Sequence, residues 1–109
     1  MIIELPAAIA AFFTADRAGD ADRIAQGFTE DAQVLDERKR HTGREAIRRW
    51  MADASTRFDY TSEPVAIAED GGRTIVTSHL VGNFPGSPVD LRYIFELRDD
   101  RIASLEIRP

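Results

Sequence analysis

The sequence predicts an α+β fold, in which helices come first and a curved antiparallel sheet follows and is laid against them. Three observations carry that expectation. Apolar residues in the first half recur at spacings of three and four, the period of a helix face. From Phe58 onward the apolar residues alternate with polar ones, the period of a strand. The strand-like runs are joined by two to four residues, which suits antiparallel neighbours and leaves no room for crossover helices. With 109 residues the chain fits a single domain, 1–109, of a size that buries roughly two-thirds of its unfolded surface.

From Pro6 to Ala18, Ala8, Ile9, Phe12, Phe13 and Ala15 form one apolar stripe, Pro6 suits a first helical turn and Gly19 suits the residue just past the end. Asp20 can cap a second, short helix on which Ile24 and Phe28 lie four apart. A strand is expected over Gln33 to Asp36. Thr42-Gly43-Arg44-Glu45 has the Thr-x-x-Glu form of a capping box and predicts a third helix running to about Ser55, with Ile47, Trp50, Met51 and Ala54 on its buried face. Strands are then expected over Tyr60 to Ala68, Arg73 to Phe84, Val89 to Arg98 and Arg101 to Arg108. Asp70-Gly71-Gly72, Pro85-Gly86-Ser87-Pro88 and Asp99-Asp100 are the turns between them. In the third of these strands Val89, Leu91, Tyr93, Phe95 and Leu97 mark the buried side.

Composition narrows the function classes. There is no cysteine, which excludes disulfides, thiolate catalysis and a cysteine zinc site. A net charge of -5 argues against a general attraction to nucleic acid, and the basic run Arg38-Lys39-Arg40-His41, flanked by acids and without interleaved aromatics, reads as a solvated loop. No apolar run approaches the about eighteen residues of a membrane span, and the opening MIIELPAAIAAFF carries an acid where a signal peptide wants basic residues. A soluble cytoplasmic protein without a membrane partner is therefore expected. The two histidines, His41 and His79, are far apart and lack ligand spacing, so neither a metal nor another cofactor is expected.

The order and spacing of FTEDAQVLD, TGREAIRRWM and GNFPGSPVDLRYIFELRDDRIASLEI, after two short helices, resemble the SnoaL-like members of the nuclear transport factor 2-like superfamily over nearly the whole chain. The resemblance implies a cone-shaped barrel, in which a strongly curved antiparallel sheet and three N-terminal helices enclose a pocket for a small hydrophobic molecule. It also implies a homodimer formed through the sheet. Isomerases, cyclases, dehydratases, epoxide hydrolases and non-catalytic members share this fold, so function must be argued from the site.

In the ketosteroid isomerases of that superfamily the general base is an aspartate at the end of the segment that DAQVLD resembles, which by that match is Asp36. On an extended segment Val34 and Asp36 share one side, so the carboxylate can stand among apolar neighbours, where lost solvation makes it a better proton acceptor. Alternatively, Asp36 joins Arg38, Arg40, Arg44 or Arg48 in a surface ion pair worth roughly 0 to 1 kcal/mol. The isomerase's donor tyrosine on the first helix matches Phe12, which cannot donate; loss of such a donor typically costs about 2.7 to 4 kcal/mol. Its second donor matches Arg92 or Tyr93, and alternation puts Tyr93 on the buried side, as a donor or as a core residue. His79 can relay protons to Asp36 or Tyr93 if it turns inward, but both rows of its strand are half apolar and leave its facing open. Phe12, Val34, Trp50, Met51 and Phe84 are core positions that a hollow fold also makes pocket lining. Two readings remain: an isomerase, cyclase or lyase acting on a hydrophobic carbonyl compound with Asp36 as base, or a ligand-binding or dimeric interaction module without chemistry. An epoxide hydrolase built on Asp90 and Arg92 ranks below both, because alternation places them on the outside.

Overall fold

The computed structural model describes residues 3–109. Its elements are α1 (Ala7–Ala18), α2 (Ala21–Gln26), β1 (Phe28–Asp36), β2 (Lys39–Thr42), α3 (Arg44–Arg57), β3 (Tyr60–Asp70), β4 (Arg73–Gly82), β5 (Val89–Arg98) and β6 (Arg101–Arg108). The six strands form one curved, open sheet in the order β2-β1-β6-β5-β4-β3, with the three helices packed against one face. The α+β class and the helix-against-sheet arrangement are as the sequence predicts. The sheet is mixed, however: β1 runs parallel to β6, while the other four junctions are antiparallel. The parallel contact arises because α3 and the β3–β5 meander intervene between the chain's leaving β1 and its return as β6.

Helix α1 ends where the sequence indicates. Gly19 takes a left-handed conformation (φ 67°) and donates its N–H to the Asp16 carbonyl, while the Asp20 N–H reaches back to Ala15. The Asp20 side chain then caps α2 by accepting from the Arg23 N–H at 3.0 Å. Phe28 does not continue α2: Gly27 closes that helix and Phe28 opens β1, its ring fully buried in the same core. The basic run is likewise not all loop. Glu37 and Arg38, both at positive φ, make a two-residue turn, and Lys39–Thr42 pairs antiparallel with β1.

The capping box is not formed. Thr42 belongs to β2, opposite Gln33, and the residue before α3 is Gly43 at φ 88°, whose N–H donates to the Ala32 carbonyl at 2.8 Å. Glu45 instead binds Arg48 and Arg49 along the helix. Arg44 pins the start of α3 to β1 through a hydrogen bond from Nε to the Phe28 carbonyl at 2.9 Å. α3 thus runs to Arg57 with Ile47 and Met51 inward. Phe12, Phe13, Tyr93 and Phe95 interlock between α1 and the sheet, the closest pair being Phe13 and Tyr93 with ring centres 5.1 Å apart.

The β3–β4 hairpin turns at Gly71-Gly72, and β4 stops at Gly82, two residues short of the expected Phe84. Gly82 pairs with Tyr60, and a Cβ on it would fall 2.6 Å from the Tyr60 Cβ. Only glycine lets β3 start this close to β4.

Candidate functional site

Between α1, α3 and the concave sheet face lies a cavity of about 430 Å³. Its apolar wall includes Phe12, Trp50, Met51, Leu80, Phe84 and Leu91; Asp36, Asp16, Tyr60 and Tyr93 bring oxygen atoms to it; Glu37, Lys39, His41, Asp53 and Arg57 complete the lining. The size suits a small organic molecule, and the mixture of apolar walls with few polar groups is that of a ligand site.

Asp36 is the last residue of β1 and is half-buried. Its Oδ2 accepts a hydrogen bond from the Trp50 indole at 3.0 Å. Burial raises its pKa above the ordinary 3.8; the Trp50 bond and the nearby His41 pull against that rise, while Glu37 adds to it. The carboxylate has no salt-bridge partner among the described residues, and the arginines that follow it in sequence do not reach it. Trp50 is itself held by a tilted contact with His41, ring centres 6.0 Å apart. The local sequence explains the placement. The tight turn at Glu37-Arg38 sends Arg38 and Arg40 outward on exposed positions, and α3 lays Trp50 across the strand end.

Tyr93 is 5% exposed, stands on the concave row of β5 and lines the cavity. Burial, then the charge of Asp16, push its pKa up. Phe12, which cannot donate, packs edge-on against it at 6.1 Å. Met51 and Phe84 also line the cavity. Two residues singled out from the sequence do not. Val34 is fully buried in the core and does not reach the cavity. His79 lies on the convex row of β4, where its Nδ1 is 2.7 Å from Asp90 Oδ1 in water, while the concave row is Val76, Ser78 and Leu80. It therefore joins neither Asp36 nor Tyr93. The facing that the two half-apolar rows left open is decided by the helices, which cover the Val76 row.

One hydrogen-bonded pair on the cavity wall escaped the sequence reading. Asp16, in the last turn of α1, is 8% exposed, and its Oδ1 accepts from the Tyr60 hydroxyl at 2.6 Å. Burial raises its pKa, opposed by the Tyr60 bond and by Arg17. Tyr60 opens β3, and its own pKa is pushed up by burial and by the charge of Asp16; its hydroxyl also lies 3.8 Å from the Met51 sulfur. For Asp16 a signal existed: it occupies the next position of the Ile9-Phe12-Phe13 stripe, where a helix otherwise buries apolar groups. For Tyr60 the alternation gave none.

A curved open sheet with three helices over one face and a cavity between them is the nuclear transport factor 2-like, ketosteroid isomerase-like class of fold. Within it the chain belongs to the SnoaL-like domain family, whose sequence model matches residues 9–105. It is 42% identical to a candidate polyketide cyclase from Sinorhizobium meliloti, over 95% of each chain and with a TM-score of 0.90. A Catenulispora acidiphila protein of ketosteroid isomerase-like fold, solved in complex with trimethylamine, is 18% identical over 97% of this chain and 87% of its own, with a TM-score of 0.84. SalBIII, an epoxide hydrolase/cyclase-like enzyme in pyran ring formation in salinomycin, is 24% identical over 93% and 86%, with a TM-score of 0.79. No functionally curated protein matches the chain in sequence.

Proposed function

We propose that the protein is an enzyme that moves protons on a small hydrophobic carbonyl compound, as an isomerase, cyclase or lyase, with Asp36 as the general base. The observation that carries this is Asp36 itself: a half-buried carboxylate on a largely apolar cavity, held by a neutral indole N–H and in no salt bridge among the described residues. Once ionised, such a group is poorly solvated, the condition in which a carboxylate removes a proton from carbon next to a carbonyl. The likeness to a candidate polyketide cyclase supports the reading, since ring closure between carbonyl-bearing positions begins with the same proton removal.

The test is exchange of the α-protons of phenylacetone for deuterium in D2O, followed by proton NMR. The protein should accelerate exchange, and Asp36→Asn should return it to the buffer rate. An Asp36→Asn variant that exchanges as fast as the parent removes Asp36 as base. The second reading, a binding module without chemistry, is favoured by Phe12 standing where the isomerases place a donor tyrosine. A ligand that stabilises the protein while no ketone exchanges would select it. A homodimer through the sheet is part of the proposal, and exposed Val65 and Val81 on β3 and β4 are apolar surface that a second copy would cover. Sedimentation of the Val81→Lys variant as a monomer, with the parent a dimer, is the expected result.

A further inference from the structure

Proton removal by Asp36 leaves negative charge on the carbonyl oxygen, and the first helix offers no tyrosine to receive it. The cavity nevertheless holds a second carboxyl group that this step does not use. Asp16 on α1 and Tyr60 on β3 meet at 2.6 Å, both on the cavity wall, from elements that also differ from the one bearing Asp36. We propose that Asp16 and Tyr60 are the acid half of the site, Asp16 holding a proton that passes through the Tyr60 hydroxyl to the oxygen of the bound carbonyl compound as Asp36 removes a proton from the neighbouring carbon. This rests on the reading of Asp36 as base.

The geometry fits both protonation states of Asp16. With Asp16 ionised, the phenol hydrogen points to Oδ1 and nothing is left to donate to a ligand. With Asp16 protonated the bond reverses: the carboxyl O–H donates to Tyr60 Oη, and the phenol's own hydrogen is free to turn into the cavity. In the forward step the electron pair of the broken C–H bond becomes a C=C bond. The carbonyl π pair becomes an O–H bond with the Tyr60 proton, and the Asp16 proton replaces it on Tyr60. Asp36 ends protonated and Asp16 ionised. Return of the Asp36 proton to carbon, at the same or a conjugated position, and of the enol proton through Tyr60 to Asp16 closes the cycle without any other reagent.

The surroundings of Asp16 favour its acid form. It is 8% exposed, with Tyr60 facing it from β3 and Tyr93 from β5. Asp36 at the end of β1 contributes a further negative charge, close enough to push both tyrosines up. The basic groups around this set are Arg17, the exposed next residue of α1, which acts on Asp16, His41 of β2, which acts on Asp36, and Lys39 of β2 and Arg57 of α3 on the cavity wall, where the acids Glu37 and Asp53 also stand. None of them forms a salt bridge with Asp16. Burial outweighs the Tyr60 bond and Arg17, so the acid form persists above the ordinary range.

The experiment has two readouts. Carboxyl carbon NMR titration of the aspartate-labelled protein should show Asp16 holding its proton to higher pH than Asp36, and Tyr60→Phe should push Asp16 higher still. If Asp36 takes up its proton first, the assignment of acid and base is overturned whether or not any ketone exchanges. In the phenylacetone assay the parent should give a bell-shaped pH profile, rising as Asp36 ionises and falling as Asp16 does. Tyr60→Phe should lower the rate roughly a hundredfold, and Asp16→Asn should also remove the alkaline fall. Full exchange in both variants, with none in Asp36→Asn, overturns the donor pair and leaves the base in place. Tyr60→Phe carries the rate test should Asp16→Asn fail to fold.

Discussion

Asp31 and Asp36 stand on the same strand, and each accepts hydrogen bonds from neighbouring side chains. Asp31, near the start of β1, is exposed; its Oδ1 takes the Thr29 hydroxyl at 2.9 Å and the Arg98 guanidinium at 2.6 Å, and those bonds hold its pKa below the ordinary 3.8. Asp36, at the end of β1, is half-buried under α3; burial carries its pKa upward against the Trp50 bond. The bonds therefore do not separate the two. What separates them is water and the charge of the donor: one carboxylate is solvated and meets a cation, the other is screened from solvent and meets a neutral indole. A strand that runs from the open surface into a cavity gives one residue type two environments, a solvated anion at one end and a desolvated carboxyl group at the other.

The largest effect expected from that contrast is kinetic. Asp36→Asn should cost at least a hundredfold in ketone exchange, the usual size of a general base contribution of about 10²- to 10⁴-fold. Asp31→Asn should leave the rate unchanged in the same assay. Equal losses in both variants would mean that the two ends of β1 are not chemically distinct.

The cavity end also depends on backbone that carries no charge. An added methyl group at Gly82 collides with Tyr60 and with the Asp59 carbonyl, so β3 has to shift at its first residue. Gly82→Ala should destabilise the fold by about 1 to 3 kcal/mol, the range for overpacking. Each kcal/mol corresponds to a fall of roughly 4 to 8 °C in Tm for a domain of this size, read by calorimetry. An unchanged Tm would show that Tyr60 is not held by this close approach.

Titration sharpens the comparison. Trp50→Phe removes a bond that favours the Asp36 anion and should raise its pKa further, whereas Arg98→Ala should let Asp31 rise toward 3.8. The linkage signs are opposite. Folding favours the protonated forms of Asp36 and Asp16, so what they add to stability is complete below 3.8 and is lost as pH rises through their raised values. Asp31 stabilises above 3.8 and ceases to as pH falls through its lowered value. Asp16→Asn, which keeps an oxygen for Tyr60, should therefore raise Tm at neutral pH, with the gain shrinking on acidification.

The fold was legible in the sequence because periodicity and turn residues act locally: α1, β5 and β6 lie where the apolar spacing puts them. The errors fall where one local signal competed with a tertiary one. Thr42 and Glu45 have the form of a capping box, but pairing of Thr42 with Gln33 satisfies its backbone within the sheet and leaves Gly43 at the helix entry. Phe28 fits the face of α2, yet its burial is as complete on β1. At the site, Asp36 and Tyr93 were reachable from alternation and from the family likeness, and Trp50 from the helical spacing of α3. Asp16 was visible only as an acid interrupting an apolar stripe. That Tyr60 meets it could not be read, because the contact spans 44 residues and depends on where β3 begins.

His79 supplies the smallest expected effect and a check on the division between the two sheet faces. It pairs with Asp90 across β4 and β5, on the convex side, with both side chains largely in water. An exposed pair of this kind is worth about 0 to 1 kcal/mol, because solvent screens the charges and ordering two side chains costs entropy. His79→Ala should thus shift Tm by a few degrees at most and leave ketone exchange intact. A large loss of exchange with an unchanged Tm would place His79 in the chemistry after all. It would require β4 to present its other row to the ligand, and Val76, Ser78 and Leu80 would then have to leave the core that they now fill.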